Sequence, residues 1–367
     1  MSTRAQALAV LARRYPDDYR RIFQAVKSGQ LIGEVTVSEW AEQWGRMRER
    51  TVRPGTLGAD LSAVRKWICP AIGGKSLASL QRSDVRTVHE AAEASGLADS
   101  SVQRIHVVLM RMLSDASEEG LEVPERTLRT RKAGGAGVST RQALSVEDAR
   151  KVLAVAMARP DASRWVAALL QGMRPAEALG LRWSSLSLDK ALMTVEWQLK
   201  PLPYRVARDR SSGFRTPRGF EAVHLESAYH LVRPKTCAGV RVVPLVPWLC
   251  AELAAWRAIS PASPHGLVWS DNGRPWAQGR DRAEWEQIAD EADAWVALPD
   301  GSRRRPLLYE ARHTAATLLM SSGADDTTLT AIIGHSKIAS TRAYLHSGED
   351  RKLAALQNVG AQLGIAQ

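Results

Sequence analysis

The chain has 367 residues, of which 45% are hydrophobic and 24% are charged, and its net charge is +11. This composition is typical of a globular protein with two or more domains, and the absence of an apolar run of roughly eighteen residues argues against a membrane-spanning segment. The basic balance predicts a polyanionic partner, usually nucleic acid, while RNA and anionic lipid stay open as alternatives to DNA. Three scattered cysteines are too few for a disulfide framework or a zinc cluster, which favours the reducing cytoplasm.

The first part of the chain reads as a basic segment followed by a helical module. Residues 1–33 mix apolar and basic side chains and predict either an accessory DNA contact or a packing arm. Residues 34–122 show helical periodicity with start and stop signals, which predicts an all-α domain. The predicted helices are Val37–Arg50, Thr56–Ile72, Arg82–Ala94 and Ser100–Glu119. The basic residues predicted to contact DNA phosphates from this module are Arg48, Arg53, Arg65, Lys66, Arg104 and Arg111.

Residues 123–143 show little apolar periodicity and contain a glycine-rich run among basic residues. This pattern predicts a flexible basic linker that passes along DNA between two domains, and an ordinary surface loop is the alternative. The predicted phosphate contacts in the linker are Arg129, Arg131 and Lys132.

Residues 144–350 predict a second, mixed α+β domain. Helical patterns dominate, and Ala191–Gln198 and Gly239–Leu245 have the composition of strands. Between these strands lies a basic insertion, 200–219, for which the sequence predicts no structure. The expected fold class is therefore mainly α, with an all-α module and a second, mixed α+β domain that carries a small β-sheet.

The segment Leu307–His346 contains arginine, histidine and tyrosine side chains that can take part in catalysis. Its first part has the periodicity of a helix with a buried face, which would hold Arg312 rigidly and end at Gly323. A second helix, capped by Asp325 or Asp326, would end at Gly334, so that His335 follows a helix C-terminus. Tyr344 comes nine residues after His335.

Five short motifs, taken in order, resemble those of the tyrosine recombinase (phage integrase) family. They are Gly-Met-Arg-Pro-Ala-Glu-Ala-Leu-Gly-Leu-Arg-Trp around Arg174, Pro-Lys-Thr with a following Arg-Val-Val-Pro-Leu around Lys235, Ala-Arg-His-Thr at Arg312, Ile-Gly-His at His335 and Thr-Arg-Ala-Tyr-Leu-His at Tyr344. One such motif would be a weak signal, whereas five in order across 144–350 are a specific one.

The resemblance implies a metal-free and ATP-free reaction at a DNA phosphodiester. Arg174 and Arg312 would bind the phosphate oxygens, because guanidinium groups make permanently charged, bidentate contacts. Tyr344 would attack the phosphorus and form a 3′-phosphotyrosyl link. Lys235, at the tip of a hairpin, would protonate the departing 5′ oxygen, and His335 would donate a hydrogen bond to a phosphate oxygen.

Two further residues have supporting parts in this scheme, each with an alternative. Glu177 would orient the site, or would simply pair with Arg174. Tyr309 occupies the position, three residues before Arg312, where the family usually has histidine, and its phenol, with a reference pKa near ~10, is a poor general base. Its alternatives are a phosphate hydrogen bond and ordinary aromatic packing.

The resemblance also implies an assembly: a clamp around duplex DNA, with four protomers on two recombining sites. A directionality factor or a host DNA-bending protein is a further possible partner. Residues 351–367 carry Leu353, Leu356, Val359 and Leu363 at helical spacing, so this tail would dock on a neighbouring protomer or pack on its own domain. A type IB topoisomerase-like enzyme and a catalytically silent DNA-binding regulator stay open as other functions.

Overall fold

The computed structural model describes residues 35–131, 141–236, 239–298, 300–334 and 349–364. The fold is mainly helical with small antiparallel sheets, which confirms the expected fold class. The described residues form two compact units, one from 35–131 together with 203–220 and the other from 141–202 together with 221–364. The predicted N-terminal segment, 1–33, lies outside the described residues.

The helical unit is built around two tryptophans on its first helix. Thr36 caps this helix, because its hydroxyl accepts from Glu39 N–H and Glu39 accepts from Thr36 N–H. Trp40 and Trp44 are buried, and their indole N–H groups donate to Met112 O and Asp115 Oδ2, both at 2.8 Å. The elements are α1 Val37–Thr51, α2 Pro54–Ala63, a π-helical segment Val64–Ile68, α3 Cys69–Ile72, α4 Arg82–Ala94, α5 Asp99–Glu118 and α6 Glu125–Leu128.

The second unit has one contiguous hydrophobic core that includes residues from Leu144 to Leu363. Its helices pack around α8, which is buried along its whole length. The helices are α7 Val146–Met157, α8 Ala162–Leu170, α9 Pro175–Leu179, α10 Pro247–Ile259, α11 Gln278–Glu291, α12 Leu308–Ser321, α13 Asp326–Ile333 and α14 Glu349–Gln362.

The strands of this unit form antiparallel sheets. Strands β1, β2 and β6 form one sheet in that order, and β3, β5 and β4 form another. Two short hairpins, β7–β8 and β9–β10, complete the set in the described part of the chain. The strands are β1 Leu186–Ser187, β2 Leu192–Val195, β3 Gln198–Pro201, β4 Ala222–Glu226, β5 Tyr229–Val232, β6 Arg241–Pro244, β7 Ser270–Asp271, β8 Arg274–Pro275, β9 Val296–Ala297 and β10 Arg303–Arg304.

The pairing of these strands places Lys235 differently from the sequence prediction. Val195 pairs with Arg241 and Gln198 pairs with Val232, so the two paired positions are separated by two residues on one side and by eight along the chain on the other. Lys235 therefore lies in a wide loop inside a long ladder, and the strands continue beyond it into the insertion. We expected a turn at the end of a hairpin; the actual hairpin turn lies at Ser227, which has positive φ.

The C-terminal helix α14 packs on its own unit in this chain. Ala355, Leu356 and Val359 are buried in the same core as α12 and α13, and Arg150 donates to Gln362 O at 3.0 Å. This is the second of the two arrangements expected for the tail, and docking on a neighbour stays a prediction. Among the described helices, none is both long and apolar enough to cross a membrane.

Candidate active site

A buried carboxylate, Glu177, organises the cationic cluster of the second unit. Pro175 occupies the first turn of α9, and Arg174 precedes it as the N-cap. Arg174 N–H donates to Glu177 Oε2 at 3.1 Å, and Arg174 Nη1 donates to Glu177 Oε1 at 2.6 Å. Arg241 Nη2 donates to Glu177 Oε2 at 2.9 Å. Burial alone raises the pKa of Glu177, but Arg241 and Arg174 outweigh that effect and hold it below its usual value, so the carboxylate stays charged.

The same arginines reach the end of α13. Arg174 Nη2 donates to Gly334 O at 2.9 Å, and Arg241 Nε donates to Ile332 O at 2.7 Å. Gly334 adopts the left-handed conformation that ends the helix, as the sequence predicts. Because His335 is the next residue, the cluster fixes the point from which the chain enters the His335 segment.

Helix α12 is held in register by a second buried carboxylate, Glu310. Leu307 N–H and Gln142 N–H donate to Glu310 at 2.8 and 2.9 Å, and Arg304 pairs with Glu310 at 2.6 Å. The start of this helix is thereby anchored before the chain reaches Arg312. A side chain anchored in this way loses little entropy when it binds a ligand.

Arg312 is buried, with 2% of its surface exposed, and faces other cations. Its Nη1 donates to Gly172 O at 2.6 Å. Its Nε and Nη2 have no hydrogen-bond partner among the residues that the structure describes. Burial and then the charges of Arg174 and Arg241 lower the pKa of Arg312 to about 9. A buried guanidinium with two unused donors beside two more guanidinium groups is suited to bind a multiply charged oxyanion.

Gly172 allows this close approach. It has φ 57°, and a Cβ added there would lie 2.3 Å from Ile333 Cδ1. A side chain at this position would push α13 away from the carbonyl that accepts from Arg312. The glycine is therefore a geometric requirement of the cluster.

Tyr309 and His313 lie on one face of α12, next to Arg312 in the helix. Their ring centroids are 5.5 Å apart, and the Arg141 guanidinium lies 4.9 Å from the Tyr309 ring. Burial and the charge of Arg141 lower the pKa of His313, whose Nε2 is buried without a partner among the described residues. His313 is therefore neutral at pH 7. The sequence offered a signal for it, since it follows Arg312 in the Ala-Arg-His-Thr motif.

Two lysines differ in their surroundings. Lys235 is exposed on the 233–240 loop. Lys200, on β3, is partly buried, and its pKa is lowered by burial, against the opposing attraction of the Glu177 carboxylate. Sequence reasoning missed both Lys200 and Arg241, because neither residue's proximity to Glu177 follows from its local pattern.

The structure thus brings Arg174, Glu177 and Arg312 together, with Tyr309 beside them, as the sequence motifs predict. His335 and Tyr344 lie outside the described residues.

Comparison with known proteins agrees with this arrangement. The model of the phage integrase family matches residues 220–351. An integrase from Saccharopolyspora erythraea is 25% identical over 353 residues, covering 85% of this chain and 78% of the relative. The match places residues 220–351 within the phage integrase family. The chain is a tyrosine-type site-specific recombinase, and the motifs recognised in its sequence are those of this family.

Solved structures with the same fold come from other recombinases. The Tn1549 transposon integrase, solved in complex with transposon right end DNA, aligns with a TM-score of 0.66 at 18% identity, covering 88% of this chain and 99% of that one. A lambda integrase tetramer bound to a Holliday junction aligns with a TM-score of 0.58 at 16% identity, covering 89% and 80%. At these identities the likeness establishes the fold of the recombinase.

The predicted DNA-contacting residues of the helical unit fall into two groups. Some have a carboxylate partner: Arg48 with Asp60 at 2.6 Å, Arg111 with Asp115 at 2.9 Å, and Arg129 with Glu125. Arg53 lies 5.6 Å from the Phe220 ring. Arg65, Lys66, Arg104 and Arg131 are exposed, as are the paired Arg111 and Arg129. Lys132 lies outside the described residues. The charge of Arg48 is already balanced in a largely buried pair, so the exposed group offers the stronger candidates for phosphate contact.

Proposed function

We propose that this recombinase cleaves and rejoins duplex DNA at specific sites of a mobile element through a covalent 3′-phosphotyrosyl intermediate formed by Tyr344. The observation that carries the proposal is the cationic cluster: Arg312, with two unused donors, lies beside Arg174 around Glu177. These donors would bind the non-bridging oxygens of the scissile phosphate. Fixed donors stabilise the charge that develops on a phosphoryl group without reorganising during the reaction.

In the proposed reaction, Tyr344 loses its proton and its oxygen forms a bond to phosphorus while the bond from phosphorus to the 5′ oxygen breaks. Lys235 gives a proton to that oxygen, and His335 donates a hydrogen bond to the phosphate. The phosphodiester energy stays in the tyrosyl link, so religation by a 5′ hydroxyl needs no ATP. Tyr309 and Glu177 support the site, Tyr309 beside the phosphate and Glu177 by aligning Arg174.

We further propose that four protomers act together on two paired DNA sites, inside a cell's cytoplasm. The lambda integrase with the same fold has been solved as a tetramer on a Holliday junction. The exposed basic residues of the helical unit would hold the duplex, with affinity that falls as salt increases. A directionality factor or DNA-bending protein would bias the outcome.

The test traps the covalent intermediate on a library of DNA sites, from which the enzyme selects its own target. Nicked duplexes with a randomised centre release a short leaving strand after cleavage, so the enzyme stays attached to DNA. Adducts that survive denaturation are isolated and their DNA is sequenced. We expect the wild-type protein to give adducts on a defined sequence and Tyr344→Phe to give none.

Tyr229→Phe is the matched control, because it removes a phenol hydroxyl from β5 of the same unit, outside the proposed site, and should retain adduct formation. An adduct with the Tyr344→Phe protein would refute the nucleophile assignment. No adduct with any protein would favour a silent regulator. Relaxation of supercoiled DNA that lacks paired sites, without joined recombinant products, would favour the type IB topoisomerase-like alternative.

A further inference from the structure

The loop 233–240, which carries Lys235, is anchored at each end by an arginine. It interrupts an antiparallel ladder in which Val195 pairs with Arg241 and Gln198 pairs with Val232. The described residues of this stretch, 233–236, 239 and 240, therefore lie opposite a gap of two residues, Glu196 and Trp197. A segment with so few ladder hydrogen bonds takes its position from side-chain contacts at its ends.

The first anchor, Arg233, belongs to the surface. Its Nε donates to Glu221 at 2.9 Å, its Nη1 donates to Glu196 at 2.7 Å, and its guanidinium lies 3.9 Å from the Trp197 ring. A third of its side chain is exposed. These contacts connect the loop to residues next to β2 and β4. None of the three contacted residues belongs to the cluster around Arg312.

The second anchor, Arg241, is buried and joins three catalytic segments. Nη1 donates to Gly239 O, within the loop, at 3.2 Å. Nη2 donates to Glu177 Oε2 at 2.9 Å, and Nε donates to Ile332 O at 2.7 Å. Because a guanidinium is planar and its donors point in fixed directions, it can satisfy these three acceptors only when they keep one mutual arrangement.

Charge balance alone does not account for this geometry. Arg174 already forms an ion pair with Glu177 at 2.6 Å. A second cation at Glu177 would not need to reach the carbonyls of two other segments. The three directions of the Arg241 donors indicate that it fixes position as well as charge.

We propose that Arg241 is a positioning residue that holds the Lys235 loop against the Arg174–Glu177 pair and the end of α13, so that the lysine meets the departing 5′ oxygen. This inference rests on the proposed function of Lys235 as proton donor. Arg241 acts through the loop and touches no DNA atom in this scheme. Small displacements of a catalytic group cost as much as about a hundredfold in rate.

A 5′-bridging phosphorothiolate substrate separates positioning of the proton donor from other defects. Its leaving group is a thiol with a pKa near ~8.5, which departs without a proton, whereas an alkoxide requires one. Single-turnover cleavage is measured on matched oxygen and sulfur duplexes that contain the cleavage site. The proteins compared are wild type, Arg241→Lys, Lys235→Ala and Arg233→Met.

We expect Arg241→Lys to cleave the oxygen substrate about tenfold to a hundredfold more slowly and to approach the wild-type rate on the sulfur substrate. A lysine at position 241 keeps a positive charge beside Glu177, but it cannot donate in the three fixed directions of the guanidinium group. Lys235→Ala should show the same pattern. Arg233→Met, which removes the surface anchor, should stay within about threefold of wild type on both substrates, since ion pairs near the surface contribute little and Arg233 contacts neither Glu177 nor Ile332.

The outcomes distinguish this inference from the proposed function. If Lys235→Ala is equally slow on both substrates, Lys235 is not the proton donor and its assigned role fails. If Lys235→Ala is rescued by sulfur but Arg241→Lys is not, the positioning role of Arg241 is wrong. A wild-type rate for Arg241→Lys on the oxygen substrate overturns it as well. Thermal unfolding checks that each variant is folded, and Arg241→Gln replaces the lysine variant if that protein unfolds.

Discussion

Two buried arginines in the second unit, Arg164 and Arg312, have opposite surroundings. Arg164 is fully buried and forms a two-pronged pair with Asp281, with Nε to Oδ1 at 3.1 Å and Nη2 to Oδ2 at 2.7 Å. Arg312 is almost as buried, but its described protein contact is one carbonyl, and two other arginines lie nearby. The first charge is compensated within the fold, while the second is left for a ligand.

The contrast between these arginines separates structure from function at a buried charge. A buried ion costs free energy unless it is paired, so a fold built only for stability would pair it. Arg312 departs from this rule at the place where the family motifs converge. In the proposed function, this destabilising environment makes Arg312 a strong oxyanion donor once DNA binds.

The largest effect is expected at the paired arginine. Arg164→Met leaves Asp281 buried without its partner and should lower the free energy of unfolding by about 3–5 kcal/mol, measured by urea denaturation. Arg164→Met with Asp281→Leu removes both charges and should recover most of this loss. If the double variant is no more stable than the single one, Arg164 does more than neutralise Asp281, and the ion pair is not a purely structural one.

Arg312→Met should act on activity and spare the fold. Loss of a preorganised donor is expected to slow single-turnover cleavage by about a hundredfold or more. The free energy of unfolding should not fall, because the change removes an uncompensated buried charge and keeps the volume. Near-wild-type cleavage would show that Arg312 is not needed for the reaction. A stability loss as large as that of Arg164→Met would show that Arg312, like Arg164, is a structural residue.

A bound oxyanion should replace the missing partner of Arg312. Sulfate or inorganic phosphate at tenfold its Kd should raise the free energy of unfolding by about 1.4 kcal/mol through binding to the folded state. Thermal unfolding across a concentration series measures this rise. Arg312→Met should lose the specific part of it, whereas Lys66→Gln, on the exposed face of the helical unit, should retain it. Equal responses in both variants would mean that the anion acts elsewhere.

The smallest effect concerns the neighbour of Arg312 on the helix. The folded-state pKa of His313 is lowered by burial and Arg141, so the unfolded chain binds this proton more readily. Stability should therefore be lost as pH falls through the unfolded value near ~6.5. His313→Gln should flatten the dependence of unfolding on pH between about 7 and 5. His230, whose pKa burial also lowers, should leave a residual slope in both proteins.

Local patterns predicted the helices well and the strand connections poorly. Arg82–Ala94 has the predicted bounds, although Gln81 is its N-cap, and Asp325 and Gly334 bound α13 as predicted. The loop at Lys235 was misjudged because strand register depends on partners far away in sequence. The structure of the insertion was likewise not predictable, since β3, β4 and β5 stabilise one another only after they pair.

Neighbouring residues were enough to establish the family, the order of the catalytic motifs and the identities of Arg174, Glu177 and Arg312, because motif chemistry and helix periodicity are local properties of the chain. Three features needed the tertiary structure: Arg241 bridges three segments, Lys200 lies near Glu177, and Arg164 has an ion-pair partner whereas Arg312 has none among the described residues. The reason is physical. Whether a buried charge is compensated depends on residues more than a hundred positions away, such as Asp281 for Arg164, and local sequence does not fix those distances.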